Sequence, residues 1–86
     1  MKNYKVLFFM ARYCGKCFAI KKRINRLVED NRFNINYEFV DIELQEDLVN
    51  TFVVNGVPTT IILKDNKEVQ RISGSLYEED LLKLTE

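Results

Sequence analysis

Cys14-Gly15-Lys16-Cys17 holds both cysteines of this 86-residue chain. Two thiols three residues apart on the first turn of a helix reach each other and form a disulfide. A helix N-terminus, with unpaired N–H groups and the positive dipole end, favours the thiolate of the first cysteine. Arg12 and Lys16 flank the pair and push the same way. A thiolate beside a second thiol is the equipment of thiol–disulfide exchange. The chain's one proline follows about forty residues later, in Gly56-Val57-Pro58-Thr59, just ahead of an apolar run.

The composition removes rivals. There is no histidine, so imidazole bases, Cys–His nucleophile pairs and histidine metal ligands are all excluded. Two cysteines cannot build the multi-disulfide framework of small secreted domains. A four-residue structural loop would contribute only about 2 kcal/mol by chain entropy. Two thiolates alone do not complete a tetrahedral zinc site, so zinc needs a dimer or two non-cysteine ligands that the sequence does not supply nearby. A thiol-based metal carrier or a bridged iron–sulfur dimer therefore stands as the second reading. Monomeric, metal-free oxidised protein would favour exchange. Colour, or metal that follows a dimer, would favour the carrier.

The chain must position the pair. At 86 residues, with 47% apolar and 30% charged side chains, it reads as one globular domain over 1–86. Val6–Met10 is continuously apolar, as a central strand buried on both faces requires. Residues 15–31 carry Cys17, Ile20, Ile24, Leu27 and Val28 on one helical face, with Lys21, Lys22, Arg23 and Arg26 outside it. Asn31 suits the end of that helix. Ile35–Ile42 alternates in part and reads as an edge strand. Glu46–Val53 reads as a short helix broken by Asn55-Gly56. Thr59–Leu63 is a second buried strand, Lys64–Lys67 a turn, and Glu68–Ile72 its hairpin partner. A last helix starts at Ser75 or Tyr77, with Glu78, Glu79 and Asp80 in its first turn. The order is βαβαββα. Placing both continuously apolar strands at the centre gives a four-stranded mixed sheet of order 2-1-3-4, flanked by helices on both faces.

In order and spacing, a CxxC after the first strand, Val57-Pro58-Thr59 before the third and Ile72-Ser73-Gly74 before the last helix resemble the thioredoxin superfamily. The resemblance covers essentially the whole chain, in the minimal, glutaredoxin-sized form of the fold. It implies that Cys14 is the exposed nucleophile and Cys17 the shielded resolving thiol. It implies a cis Pro58 lying against the disulfide, and a Val57 backbone that pairs with an extended substrate segment. Tyr13 takes the place of the family's tryptophan and is a candidate substrate contact. Lys16 replaces the motif proline and tunes the thiol. Phe8 replaces the buried aspartate, so water or the departing thiolate must take the resolving thiol's proton. The glycine pair and aspartate that hold glutathione in glutaredoxins are not matched, since Gly74 precedes Ser75 and Asp80 lies farther along.

The expectation is a disulfide reductase with no cofactor and no metal, acting as a monomer on a disulfide-bearing client protein. An upstream reductase or a small thiol supplies its electrons. A potential of roughly −200 to −260 mV is expected from thiolate stabilisation and the missing motif proline. Apolar runs are too short for a signal-peptide core or a membrane span, which points to the cytoplasm and no membrane partner. Residues 1–34 carry a net +7 and residues 35–86 a net −7. The cations gather on one helix without interleaved aromatics, which argues against nucleic acid and for an acidic protein surface.

Overall fold

The computed structural model describes residues 3–85. Strand β1 (Tyr4–Met10) is followed by helix α1 (Gly15–Glu29), β2 (Asn36–Asp41), α2 (Glu46–Phe52), β3 (Thr59–Lys64), β4 (Lys67–Ser73) and α3 (Glu78–Lys83). The sheet order is β2-β1-β3-β4, as the apolar runs predict. β1 pairs parallel with β2, Phe8 opposite Phe39, and antiparallel with β3, Phe8 opposite Thr60. β3 and β4 form the antiparallel hairpin, with a register irregularity between Ile62 and Leu63. Asp65 and Asn66 both take positive φ in its two-residue turn, which suits the right-handed twist of the strands.

The unbroken apolar character of β1 has a physical cause. Successive strand side chains point to opposite faces, and both faces are covered. Val6, Phe8 and Met10 join Cys17, Ile20, Ile24 and Leu27 of α1, with Leu76 and Leu81 beside α3. Leu7 and Phe9 join Ile61 and Leu63, against Leu48, Val49 and Phe52 of α2. Each fully buried side chain among these contributes about 1.5–3 kcal/mol of burial free energy, and the partly buried Leu48, Val49 and Phe52 contribute less. The sheet thus fixes the C-terminal end of β1, and the N-terminus of α1 follows it after four residues.

Helix ends differ from the sequence expectation in two places. α1 stops at Glu29, and Asn31 adopts the left-handed conformation, φ 58°, as its type suggests. α2 stops at Phe52, one residue short of the expected Val53, because Val53 itself turns left-handed at φ 52°. The last helix starts at Glu78, with Tyr77 as its N-cap residue and the Tyr77 N–H donating to Asp80 Oδ2 at 2.8 Å. Gly74, at φ 99°, makes the turn out of β4 in a conformation that side-chain-bearing residues rarely adopt.

Candidate active site

Cys14 caps α1 from extended backbone, φ −104° and ψ 109°, and its Sγ accepts the Cys17 N–H at 3.1 Å. The two sulfurs are joined as a disulfide, with the Cα atoms 5.2 Å apart. The pair is asymmetric. Cys17 is 2% exposed and packs in the core under α1, while Cys14 is only partly covered. The cause lies in the helical pattern, since Cys17 occupies the same face as Ile20, Ile24 and Leu27 and Cys14 stands before the first turn.

Tyr13 is 73% exposed beside Cys14. Lys16 is exposed on the first turn and forms no ion pair among the described residues. Arg12 leans to Glu43, with Nη2 at 3.3 Å from Oε1. The Val57–Pro58 peptide is cis. Pro58 is buried, and its carbonyl accepts the Gly74 N–H at 3.0 Å. Val57 is half-buried, packed like Cys14 against the α1-side core. Its amide N–H and carbonyl have no hydrogen-bond partner among the described residues. Thr59 Oγ1 donates to the Gly56 carbonyl at 2.6 Å, which ties the loop ahead of β3 to itself.

Phe8 lies under this site, 1% exposed, in an aromatic cluster. Its ring centroid is 5.9 Å from that of Phe39, 6.3 Å from Tyr37 and 6.4 Å from Phe33. A carboxylate in this place would be buried without a partner, so the aromatic cluster and the loss of an acid here belong together. Among the described residues no three potential ligands gather in a way that could hold a metal ion.

One feature escapes the motif. A groove of about 380 Å³ opens beside the disulfide, with Cys14, Cys17, Phe18, Lys21, Phe39 and Asp41 on its walls. Phe18 is 66% exposed. The available signal was an aromatic residue off the apolar face of α1, immediately after Cys17. The contribution of Phe39 and Asp41 depends on β2 lying alongside β1, which no local pattern states.

A small α/β fold that sets a CxxC disulfide on the first turn of a helix, with a Val-Pro loop ahead of a central strand, defines a class of thiol–disulfide proteins. The thioredoxin family model matches residues 1–86, and the chain belongs to that family. It is 33% identical over 76 residues to thioredoxin H2 of Arabidopsis thaliana, covering 86% of this chain and 55% of that protein. It is 31% identical over 80 residues to an H-type thioredoxin of Fagopyrum esculentum, covering 92% of this chain and 67% of that one. The chain thus spans between about half and two thirds of the length of these relatives. Among solved structures, a thioredoxin-2 described as a component of malaria parasite protein secretion machinery superposes with a TM-score of 0.84. It is 30% identical, over 99% of this chain and 84% of its own. Thioredoxin of Fasciola hepatica gives 0.80 at 29% identity, over 95% and 77%. Among the described residues no helix is long and apolar enough to cross a membrane.

Proposed function

We propose that this protein reduces disulfides in client proteins through a Cys14–Cys17 dithiol/disulfide cycle. The observation that carries the reading is the asymmetry of the pair. One sulfur sits partly open at a helix N-terminus and accepts a backbone N–H; the other is 2% exposed behind it. The first position favours a thiolate that a client can reach, and the second favours a thiol that acts only within the molecule.

In the reaction, the Cys14 thiolate attacks one client sulfur. A Cys14–client disulfide forms, the client's own disulfide breaks, and its second sulfur leaves as a thiolate. Cys17 then gives up its proton to that thiolate or to water and attacks Cys14 Sγ. The client leaves as a dithiol, reduced by two electrons, and the Cys14–Cys17 disulfide carries the oxidation. Two electrons from an external reductase or a small thiol restore the pair. Lys16 and the α1 N-terminus favour the attacking thiolate. The unpartnered Val57 N–H and carbonyl, beside Pro58, are available to an extended client segment, and the exposed Tyr13 ring is a further client contact. The protein acts as a monomer in a compartment such as the cytoplasm, where thiols are kept reduced.

The roles are tested by trapping. Cys17→Ser is expected to accumulate a stable mixed disulfide with a disulfide-bonded test protein, and Cys14→Ser to accumulate none, read by non-reducing electrophoresis and mass spectrometry. Trapping through Cys17 in the Cys14→Ser variant would reverse the assignment. The potential follows from titration in thiol/disulfide buffers, with a reversible couple below about −200 mV expected of a reductase in a reducing compartment.

A further inference from the structure

The groove beside the disulfide has a character that the exchange chemistry alone does not require. Both cysteine residues are among its lining, so a chain that delivers a sulfur to Cys14 meets this groove. Its lining is apolar at Phe18 and Phe39 and cationic at Lys21 and Arg12. Lys21 Nζ stands 5.1 Å above the Phe39 ring centroid, and Lys22 Nζ 5.7 Å from that of Phe18. Neither lysine, nor Lys16, forms an ion pair among the described residues. α1 has no acid in its first turn, so this face keeps an unneutralised positive charge. Two carboxylates oppose it. Glu43 is engaged by Arg12, and Asp41 Oδ1 accepts the Glu43 N–H at 2.9 Å. Both acids are turned to local partners, whereas the lysines meet aromatic rings and no carboxylate among the described residues.

We propose that this groove docks the client chain on one side of its reactive cysteine and selects an acidic segment that carries an aromatic side chain. The inference rests on the reductase reading and adds a substrate class to it. The aromatic ring packs on Phe18 and Phe39, and the acids meet Lys21, with Lys16 and Lys22 at the margin. The cysteine pair on the wall decides between a polypeptide and a nucleic acid, since exchange needs an occupant that carries sulfur and only the polypeptide does. Complementary charge of this kind acts first on the rate of encounter and is weakened by salt.

The test uses the intact protein and three disulfides. Two are matched peptides with either two aspartates or two lysines beside a phenylalanine next to the cysteine; the third is the neutral oxidised dimer of 2-mercaptoethanol. The acidic peptide is expected to react about tenfold faster than the basic one at low salt. The difference is expected to shrink between about 0.05 and 0.5 M salt. Lys21→Glu is expected to bring the two peptide rates together or reverse them, read as the ratio of acidic to basic rate so that any common change in thiol reactivity cancels. A fourth disulfide, the acidic peptide with serine in place of phenylalanine, is expected to react more slowly than its parent, and Phe18→Ala is expected to remove that difference. Equal rates for both peptides, with the neutral disulfide still reduced, would overturn this proposal and leave the reductase reading intact. No reduction of any of the three would overturn both. A second copy of this chain is the rival occupant, given the acidic residues 35–86. Dimer mass in solution, with the acidic peptide unable to dissociate it, would assign the groove to that copy and overturn the proposal.

Discussion

In the proposed cycle, Lys16 is where one side chain most directly changes the chemistry, because it sits between the two cysteines on the turn whose Cys17 N–H faces Cys14. A cation there favours the thiolate, and an anion opposes it. Lys16→Glu is expected to move the midpoint of Cys14 alkylation against pH upward, by a few tenths to about one unit. The measurement is the rate of iodoacetamide reaction across pH, and an unmoved midpoint would remove Lys16 from the machinery. Phe8 shows the opposite case. Its side chain serves packing alone, 1% exposed among Phe33, Tyr37 and Phe39. The cysteines, Lys16 and Phe8 were all legible in the sequence, because each is defined by its offset within one strand–helix junction. Phe18 was visible only as an aromatic off the buried face, and its meaning came from Phe39 on a neighbouring strand.

Helix α2 shows what one element's sequence leaves out. Nothing in Val53-Val54-Asn55-Gly56 marks Val53 as the residue that turns left-handed, and Asn55-Gly56 is the stronger local signal. The turn is held from a distance. Arg71 of β4 donates to the Phe52 and Val53 carbonyls at 2.5 and 3.1 Å and pairs with Glu68 through two contacts of 2.8 Å. A β-branched residue at φ 52° costs roughly 1–2 kcal/mol, and Val53 is 64% exposed, so its side chain returns little. Glycine would remove that strain and lose about 0.5–1 kcal/mol in chain entropy. Val53→Gly is therefore expected to raise the thermal midpoint by about 2–6 °C. A lower midpoint would mean that the valine side chain matters more than its backbone. Arg71→Met is expected to cost about 1–2 kcal/mol by freeing those carbonyls. Arg71 hydrogen bonds hold the Glu68 carboxyl below its usual range and the guanidinium above its own. A carboxylate lowered in this way stabilises the fold above its unfolded pKa, about 4.3, and loses that contribution as pH falls through the lower folded value. The stability gap between wild type and Arg71→Met is expected to narrow across that window. A gap constant from pH 7 to pH 3, followed by chemical denaturation, would refute the coupling.

At the scale of the whole molecule, the strand order and the two-faced core were legible because β1 and β3 are apolar without interruption, and only central positions bury both faces of a strand. The opposed charges of residues 1–34 and 35–86 were legible too, but not what they do. Among the described residues, folding brings three pairs together across that divide, Lys5 with Glu38 at 3.0 Å, Arg12 with Glu43 at 3.3 Å and Arg32 with Glu78 at 2.9 Å. The pairing needed the parallel β1–β2 register and the approach of α3 to the end of α1, which charge order alone does not contain. Their energetic weight is small. All six side chains remain well exposed, and exposed pairs contribute about 0–1 kcal/mol each. Truncating one buried aromatic costs about 3–5 kcal/mol, because transfer free energy and the cavity add. Phe8→Ala is therefore expected to lower the free energy of unfolding more than Lys5→Gln, Arg12→Gln and Arg32→Gln combined in one chain. Urea denaturation at fixed salt measures both. The triple variant is also expected to lose most of its small deficit at about 1 M salt, where the wild-type pairs are screened, while the Phe8→Ala deficit persists. A triple variant less stable than Phe8→Ala would place the fold's main support in its charges instead of its aromatic cluster.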